Sequence, residues 1–212
     1  MTTEHSAFAG AGLVIEAVPE DFDLKVSSLQ AVEQHLAEDA YLATNTSSMS
    51  VDDLAEKLQR PQNFCGLHFF NPVPASKLVE VVIGKQTSQE LKNRTSAWVE
   101  GIGKTAVTVN DAPGFASSRL GVALGLEAIR MVEEGVASAQ DIDNAMVLGY
   151  KYPIGPLALT DIVGLDVRLG IAEYLEEKLG PRFAPPQLMR DMVARGELGR
   201  KSGKGFYTYT DE

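Results

Sequence analysis

The sequence predicts two architectures in series: a mostly parallel α/β sheet over residues 1–111, then an all-helical half over residues 112–212. Three observations predict this. Short apolar runs alternate with segments of helical period up to residue 111, the pattern of a parallel sheet with crossover helices. After Asp111-Ala-Pro-Gly the period turns helical and stays so almost to the end. The chain has 212 residues and is 44% hydrophobic, enough for each half to bury a core.

Residues 11–18 (AGLVIEAV) form a nearly unbroken apolar run, which predicts a strand buried on both faces. A helix is expected over residues 22–37, with Val26, Leu29, Val32 and Leu36 on one stripe. Residues 41–44 read as a strand. Ser50, with Asp53 three residues on, resembles a capping box that opens a short helix over residues 51–58. Residues 64–70 and 78–83 are strand-like and joined by the turn Asn71-Pro-Val-Pro-Ala. A helix over 89–100 stops at Gly101, and residues 105–109 form another strand. In the second half one long helix covers residues 115–134, with Leu120, Leu124 and Met131 on its stripe and Gly135 as its stop. Ser138, with Asp141, caps a helix running to about residue 148. Helices over 156–163 and 166–178 are divided by Gly164, and 186–195 is the last helix. Residues 199–205 are a basic glycine-rich turn, and 206–209 are a candidate terminal strand.

The charge excludes several function classes. The chain carries 19 basic and 29 acidic residues, a net charge of −10, so no basic field draws it to nucleic acid or an anionic membrane. A single cysteine, Cys65, forms neither an internal disulfide framework nor a CxxC site. No apolar run approaches the length of a membrane span, and residues 1–6 lack the features of a secretory signal. The expected compartment is the cytoplasm.

Three glycine-rich stretches fail as phosphate loops. Gly10-Ala-Gly12 precedes a strand, and a dinucleotide fingerprint must follow one and open a helix. Gly101-Ile-Gly103 follows a helix and reads as its stop. Lys201-Ser-Gly-Lys204-Gly205 lacks the hydroxyl residue a P-loop needs after its lysine.

Of three histidines, His5 and His35 lie in polar surroundings, whereas His68 stands at the C-terminal end of an apolar strand in Cys65-Gly-Leu-His-Phe-Phe-Asn-Pro. Ligands of open α/β sheets bind at that edge. Glu80 is a lone carboxylate in the apolar run Lys77-Leu-Val-Glu-Val-Val-Ile. A buried carboxylate demands a partner. One candidate is His68, across a short connection, in a pair that fixes the imidazole tautomer and raises its basicity. The other is Lys77 or an arginine, in a structural ion pair. Asn45-Thr-Ser-Ser48 follows a strand, either as a plain turn or as a wall of the same crevice. Asn71 is placed to add a carboxamide there. No set of residues has metal-ligand character.

The stretches NTSSMSVDDLA, GLHFFNPVPASKLVEVV, VNDAPGFASSRL, AIRMVEEGVAS, LGYKYPIGPLALTDIVGLD and LGRKSGKGFY stand in the order and spacing of the L-3-hydroxyacyl-CoA dehydrogenases. From about residue 12 to residue 209 the chain resembles that family, in particular the bacterial 3-hydroxybutyryl-CoA dehydrogenases. The resemblance implies a partial Rossmann domain followed by an all-α dimerisation domain. It implies interconversion of L-3-hydroxyacyl-CoA and 3-ketoacyl-CoA with NAD, or alternatively NADP, in a homodimer joined through residues 112–212. It makes His68 the catalytic base and Glu80 its orienter. Ser47 and Asn71 fall beside both substrate and nicotinamide. Glu20, Lys25 and Lys201 match cofactor-binding residues, and Ser118 a substrate-binding position.

There are two departures. The family's leading strand, GxGxxG and helix do not occur in these 212 residues, so the chain is expected to start near the middle of the nucleotide-binding domain and to hold its cofactor weakly. A gene start called too late, or a truncated paralogue that only dimerises or binds ligand weakly, are the alternative accounts. The family usually carries Asn or Thr where this chain has Ser118, which is shorter and lacks the amide.

Overall fold

The computed structural model describes residues 3–210. The chain divides into two compact units, Met1–Phe115 and Ala116–Glu212.

In the first unit, five strands lie in sequence order: β1 (Leu13–Glu16), β2 (Tyr41–Thr44), β3 (Phe64–Phe69), β4 (Leu78–Ile83) and β5 (Thr105–Asn110). β1–β2, β2–β3 and β4–β5 are parallel, and β3–β4 is antiparallel. The mostly parallel, Rossmann-like sheet agrees with the alternation read from the sequence. Side chains alternate across it as the pleat requires. Leu42, Phe64 and Val82 face α1 (Phe22–Glu33) and α2 (Val51–Ala55), while Ala43, Cys65, Leu67, Val79 and Val81 face α3 (Gln89–Gly101). The helix caps are those the residue types demand. Asp21, Ser50 and Ser88 each accept a hydrogen bond from a backbone N–H of the first turn.

The β1 expectation needs correction. The strand is shorter than residues 11–18, among the described residues it pairs with β2 alone, and with Ile15 38% exposed it is not buried on both faces. An apolar run reports burial somewhere along the strand, and cannot say whether both edges are occupied.

The second unit contains α4 (Ser117–Glu133), α5 (Ala139–Asn144), α6 (Pro156–Val163), α7 (Leu165–Leu179) and α8 (Gln187–Ala194). Helix α5 continues into a wider turn over Ala145–Gly149. Gly164, at φ 101°, separates α6 from α7. Val122, Leu126 and Ile129 of α4 enter the core. Of the expected stripe, Met131 packs against this core, Leu124 is half-buried and Leu120 is 70% exposed. Both triples satisfy the helical period, and α4 is apolar on more than one face, so periodicity alone could not choose between them. The terminal strand is also absent. The N–H groups of Phe206 and Tyr207 donate to the buried carboxylate of Asp161 at 3.0 and 2.9 Å, which uses the donors a strand would need.

Candidate active site

The antiparallel register of β3 and β4 sets His68 directly opposite Glu80. Directly opposed residues point to the same face, and here Nδ1 of His68 lies 2.9 Å from Oε2 of Glu80. Both are buried, Glu80 to 1% exposure. Of the two partners open to Glu80, the structure selects the histidine. With the Nδ1 proton donated to the carboxylate, Nε2 carries the lone pair that accepts a proton. Two aromatic rings flank the imidazole: Phe70, at 4.5 Å between ring centres, and Phe115, at 5.7 Å. Phe115 is held at φ 49°, an unusual conformation for a bulky residue. Neither ring was singled out from the sequence, although HFFNP and the PGF motif contain them.

The Asn45–Thr46–Ser47–Ser48 turn is fastened to the same end of the sheet. The side-chain oxygen of Asn45 accepts from Phe69 N at 2.8 Å, one residue beyond His68, and Asn45 N donates to the Glu16 carbonyl at 2.8 Å. Glu20 holds the turn from the other side. Its Oε1 accepts from Thr46 Oγ1 (2.5 Å), Ser47 N (2.9 Å), Ser48 N (3.1 Å) and Ser48 Oγ (3.1 Å). Burial opposes ionisation of Glu20, but these bonds and the charge of Lys25 outweigh it and hold the carboxyl below its ordinary range.

Lys25, expected near the cofactor, is enclosed in the protein, at 1% exposure. Its ammonium reaches Glu16 Oε1 at 2.9 Å, the Val18 carbonyl at 3.1 Å and Glu20 Oε2 at 3.2 Å. The ammonium is thus held within the protein by two hydrogen bonds and an ion pair to each of Glu16 and Glu20. Glu16 was not singled out from the sequence. Asn71 is exposed in the turn after Phe70. Ser118 and Lys201 belong to the helical unit. Ser118 is the second residue of α4 and partly exposed, and Lys201 Nζ lies 2.6 Å from Asp166 Oδ1. Burial works against ionisation of Asp166, but the Lys201 bond and charge keep its carboxyl below the usual range.

Two cavities, of about 300 and 430 Å³, flank β1, and His68 lines neither. Cys65 is buried in β3, where desolvation pushes its thiol up to about 12. It is therefore a core residue, not a nucleophile.

The residues at the sheet end fit the nicotinamide side of a dinucleotide: an ordered polar turn, a carboxylate and a histidine lie at the C-terminal ends of parallel strands. Among the described residues, Gly10 and Gly12 lead into β1 and open no helix.

Residues 1–112 match the NAD binding domain of 3-hydroxyacyl-CoA dehydrogenase, and residues 114–209 match its C-terminal domain. A probable 3-hydroxybutyryl-CoA dehydrogenase of Deinococcus radiodurans is 44% identical over 209 residues, spanning 98% of this chain and 75% of that protein. One from Bacillus subtilis is 45% identical over 203 residues, spanning 95% and 71%. The crystal structure of (S)-3-hydroxybutyryl-CoA dehydrogenase from Ralstonia eutropha superposes with a TM-score of 0.95 at 42% identity, over 99% of this chain and 75% of that one. The sheet, the helical unit and both consecutive matches agree: the chain belongs to the 3-hydroxyacyl-CoA dehydrogenase family.

Proposed function

We propose that the chain interconverts L-3-hydroxyacyl-CoA and 3-ketoacyl-CoA with NAD as hydride acceptor or donor. The buried His68–Glu80 pair, at 2.9 Å, is the observation that carries this reading. In the oxidative direction Nε2 of His68 takes the proton of the 3-hydroxyl as the C3–H bond breaks and the carbonyl forms. NAD supplies the hydride acceptor when bound. Glu80 keeps the proton-bearing Nδ1 turned away from substrate and stabilises the imidazolium that results. Ser47 and Asn71 orient substrate and nicotinamide from the two turns beside His68. Glu20 acts by fixing the Ser47 turn, and Lys25 acts through Glu20. Ser118 and Lys201 keep their substrate and cofactor roles on the family resemblance alone.

We read the cofactor as NAD and its grip on these 212 residues as weak, since among the described residues no glycine turn opens a helix N-terminus for the pyrophosphate. We place a second copy against the helical unit, where Leu120, Leu148, Tyr150 and Ile162 are exposed. Sedimentation at micromolar concentration checks this, and a monomer contradicts it.

The test of function is reduction of acetoacetyl-CoA by NADH. The expected result is slow turnover that keeps rising with NADH and is lost in His68→Ala. Turnover that His68→Ala leaves intact, or none at any NADH concentration, overturns the reading.

A further inference from the structure

We propose that Glu16 is a positioning residue for this reaction: its buried carboxylate neutralises Lys25 and thereby sets Glu20 and the Ser47 turn that Glu20 holds. The proposal rests on the reading of Ser47 as a nicotinamide- and substrate-side residue.

Glu16 closes β1, with its side chain 5% exposed. Its Oε1 accepts from Lys25 Nζ at 2.9 Å and Val18 N at 2.6 Å, and its Oε2 from Thr44 Oγ1 at 2.6 Å. A buried ammonium persists only beside a carboxylate that shares its burial. Glu20 is a poor sole partner for Lys25, because its side chain is 38% exposed and its Oε1 already takes the Thr46, Ser47 and Ser48 donors. Glu16 is thus the charge that lets Lys25 stay buried, with one N–H to spare for Glu20 Oε2.

A second route joins the same two places. Thr44 Oγ1 donates to Glu16 and also accepts from Thr46 N at 3.3 Å. Glu16 therefore reaches the turn through Lys25 and Glu20 on one side, and through Thr44 on the other. Once its charge is gone, the ammonium has only Glu20 to pair with, and Glu20 is drawn away from the Ser47 and Ser48 N–H groups.

The experiment uses the full chain carrying Glu16→Gln. Two quantities are read: residue-resolved amide exchange, and the dissociation constant for NADH. The expected result is exchange at Ser47 and Ser48 faster by about tenfold or more, as for lost hydrogen bonds, with the β3–β4 ladder unchanged and NADH bound about tenfold more weakly. If that variant does not fold, Glu16→Asp, which keeps the charge but draws it back from the Lys25 ammonium by one methylene, is read the same way with a smaller expected rise. Unchanged exchange at Ser47 and Ser48 overturns the proposal alone. A rise spread equally over turn and ladder makes Glu16 merely structural and also overturns it. Faster turn exchange with unchanged NADH affinity removes the link to the reaction, and with it the reading of Ser47.

Discussion

Both halves of the molecule bury carboxylates, and they satisfy them differently. In the sheet unit, Glu80 meets an imidazole and Glu16 an ammonium. In the helical unit, Asp161 accepts from Phe206 N, Tyr207 N and Tyr209 OH, and Asp143 from Leu157 N, Ala158 N and Tyr207 OH. Neither set includes a cation. A carboxylate bound by neutral N–H and O–H donors fastens chain segments; here it ties residues 206–209 to α6. A carboxylate bound to a titratable partner tunes that partner. Glu33 of the sheet unit, buried and accepting from Gln59 N and Arg60 N, belongs with the first kind, so it is the partner and not the unit that separates the two.

The comparison breaks most visibly at Asp161. Asp161→Ala strands two backbone donors and a tyrosine hydroxyl. At about 1–3 kcal/mol for each unsatisfied buried group, the helical unit should lose several kcal/mol. Thermal unfolding of the variant checks this, and a melting temperature within a degree or two of the parent contradicts it. Glycines show how closely this carboxylate is enclosed: a Cβ on Gly205 would lie 2.1 Å from Asp161 Oδ1.

Two carboxyls, Glu20 in the sheet unit and Asp161 in the helical unit, should also respond to acid with opposite sign. Burial raises the Asp161 carboxyl above its ordinary value of 3.8 despite its hydrogen bonds. The folded state therefore holds that proton more tightly than the unfolded one, and this group's contribution falls as pH rises through its shifted value. Glu20 is shifted down from 4.5. Its contribution is fully present above that value and is lost as pH falls through the lowered one. On acidification, amide protection at Ser47 and Ser48 should fail before protection at Phe206 and Tyr207. The reverse order in hydrogen exchange would sink the contrast.

The smallest effect concerns Arg168 in α7. It is buried; Nη1 donates to the Gly121 carbonyl at 2.6 Å, and Nε has no partner among the described residues. Desolvation brings the guanidinium down to about 10. Replacing a buried, poorly paired charge by an apolar side chain of similar length is neutral to stabilising, so Arg168→Met should raise stability by about 1 kcal/mol. A clear loss in a denaturant titration would mean that the guanidinium is well compensated.

Much of this was legible in the residues. Tyr41–Thr44, Leu78–Ile83 and Pro156–Val163 have the bounds their apolar runs and flanking turn residues suggest. The rule that a lone carboxylate in an apolar strand needs a partner left His68 and a nearby cation open for Glu80, and the β3–β4 register chose the histidine. The same rule applies to Glu16 in Leu-Val-Ile-Glu, but its partner Lys25 lies in the next helix, where spacing gives no contact. Lys25 was singled out by the family resemblance, as a cofactor-binding residue, and nothing in the local pattern marked it as buried. The α4 face and the non-strand at residues 206–209 depend on which neighbour arrives, a tertiary choice that local pattern does not encode.

The central claim is that His68 moves the substrate proton and Glu80 readies it to do so. The most direct measurement is the single-turnover rate of acetoacetyl-CoA reduction by NADH in Glu80→Gln, alongside the variant's melting temperature. General acid–base assistance is worth about 10²–10⁴-fold, so the rate should drop into that range below the parent while the protein remains folded. A folded Glu80→Gln variant that reduces substrate at the parent rate would contradict the account.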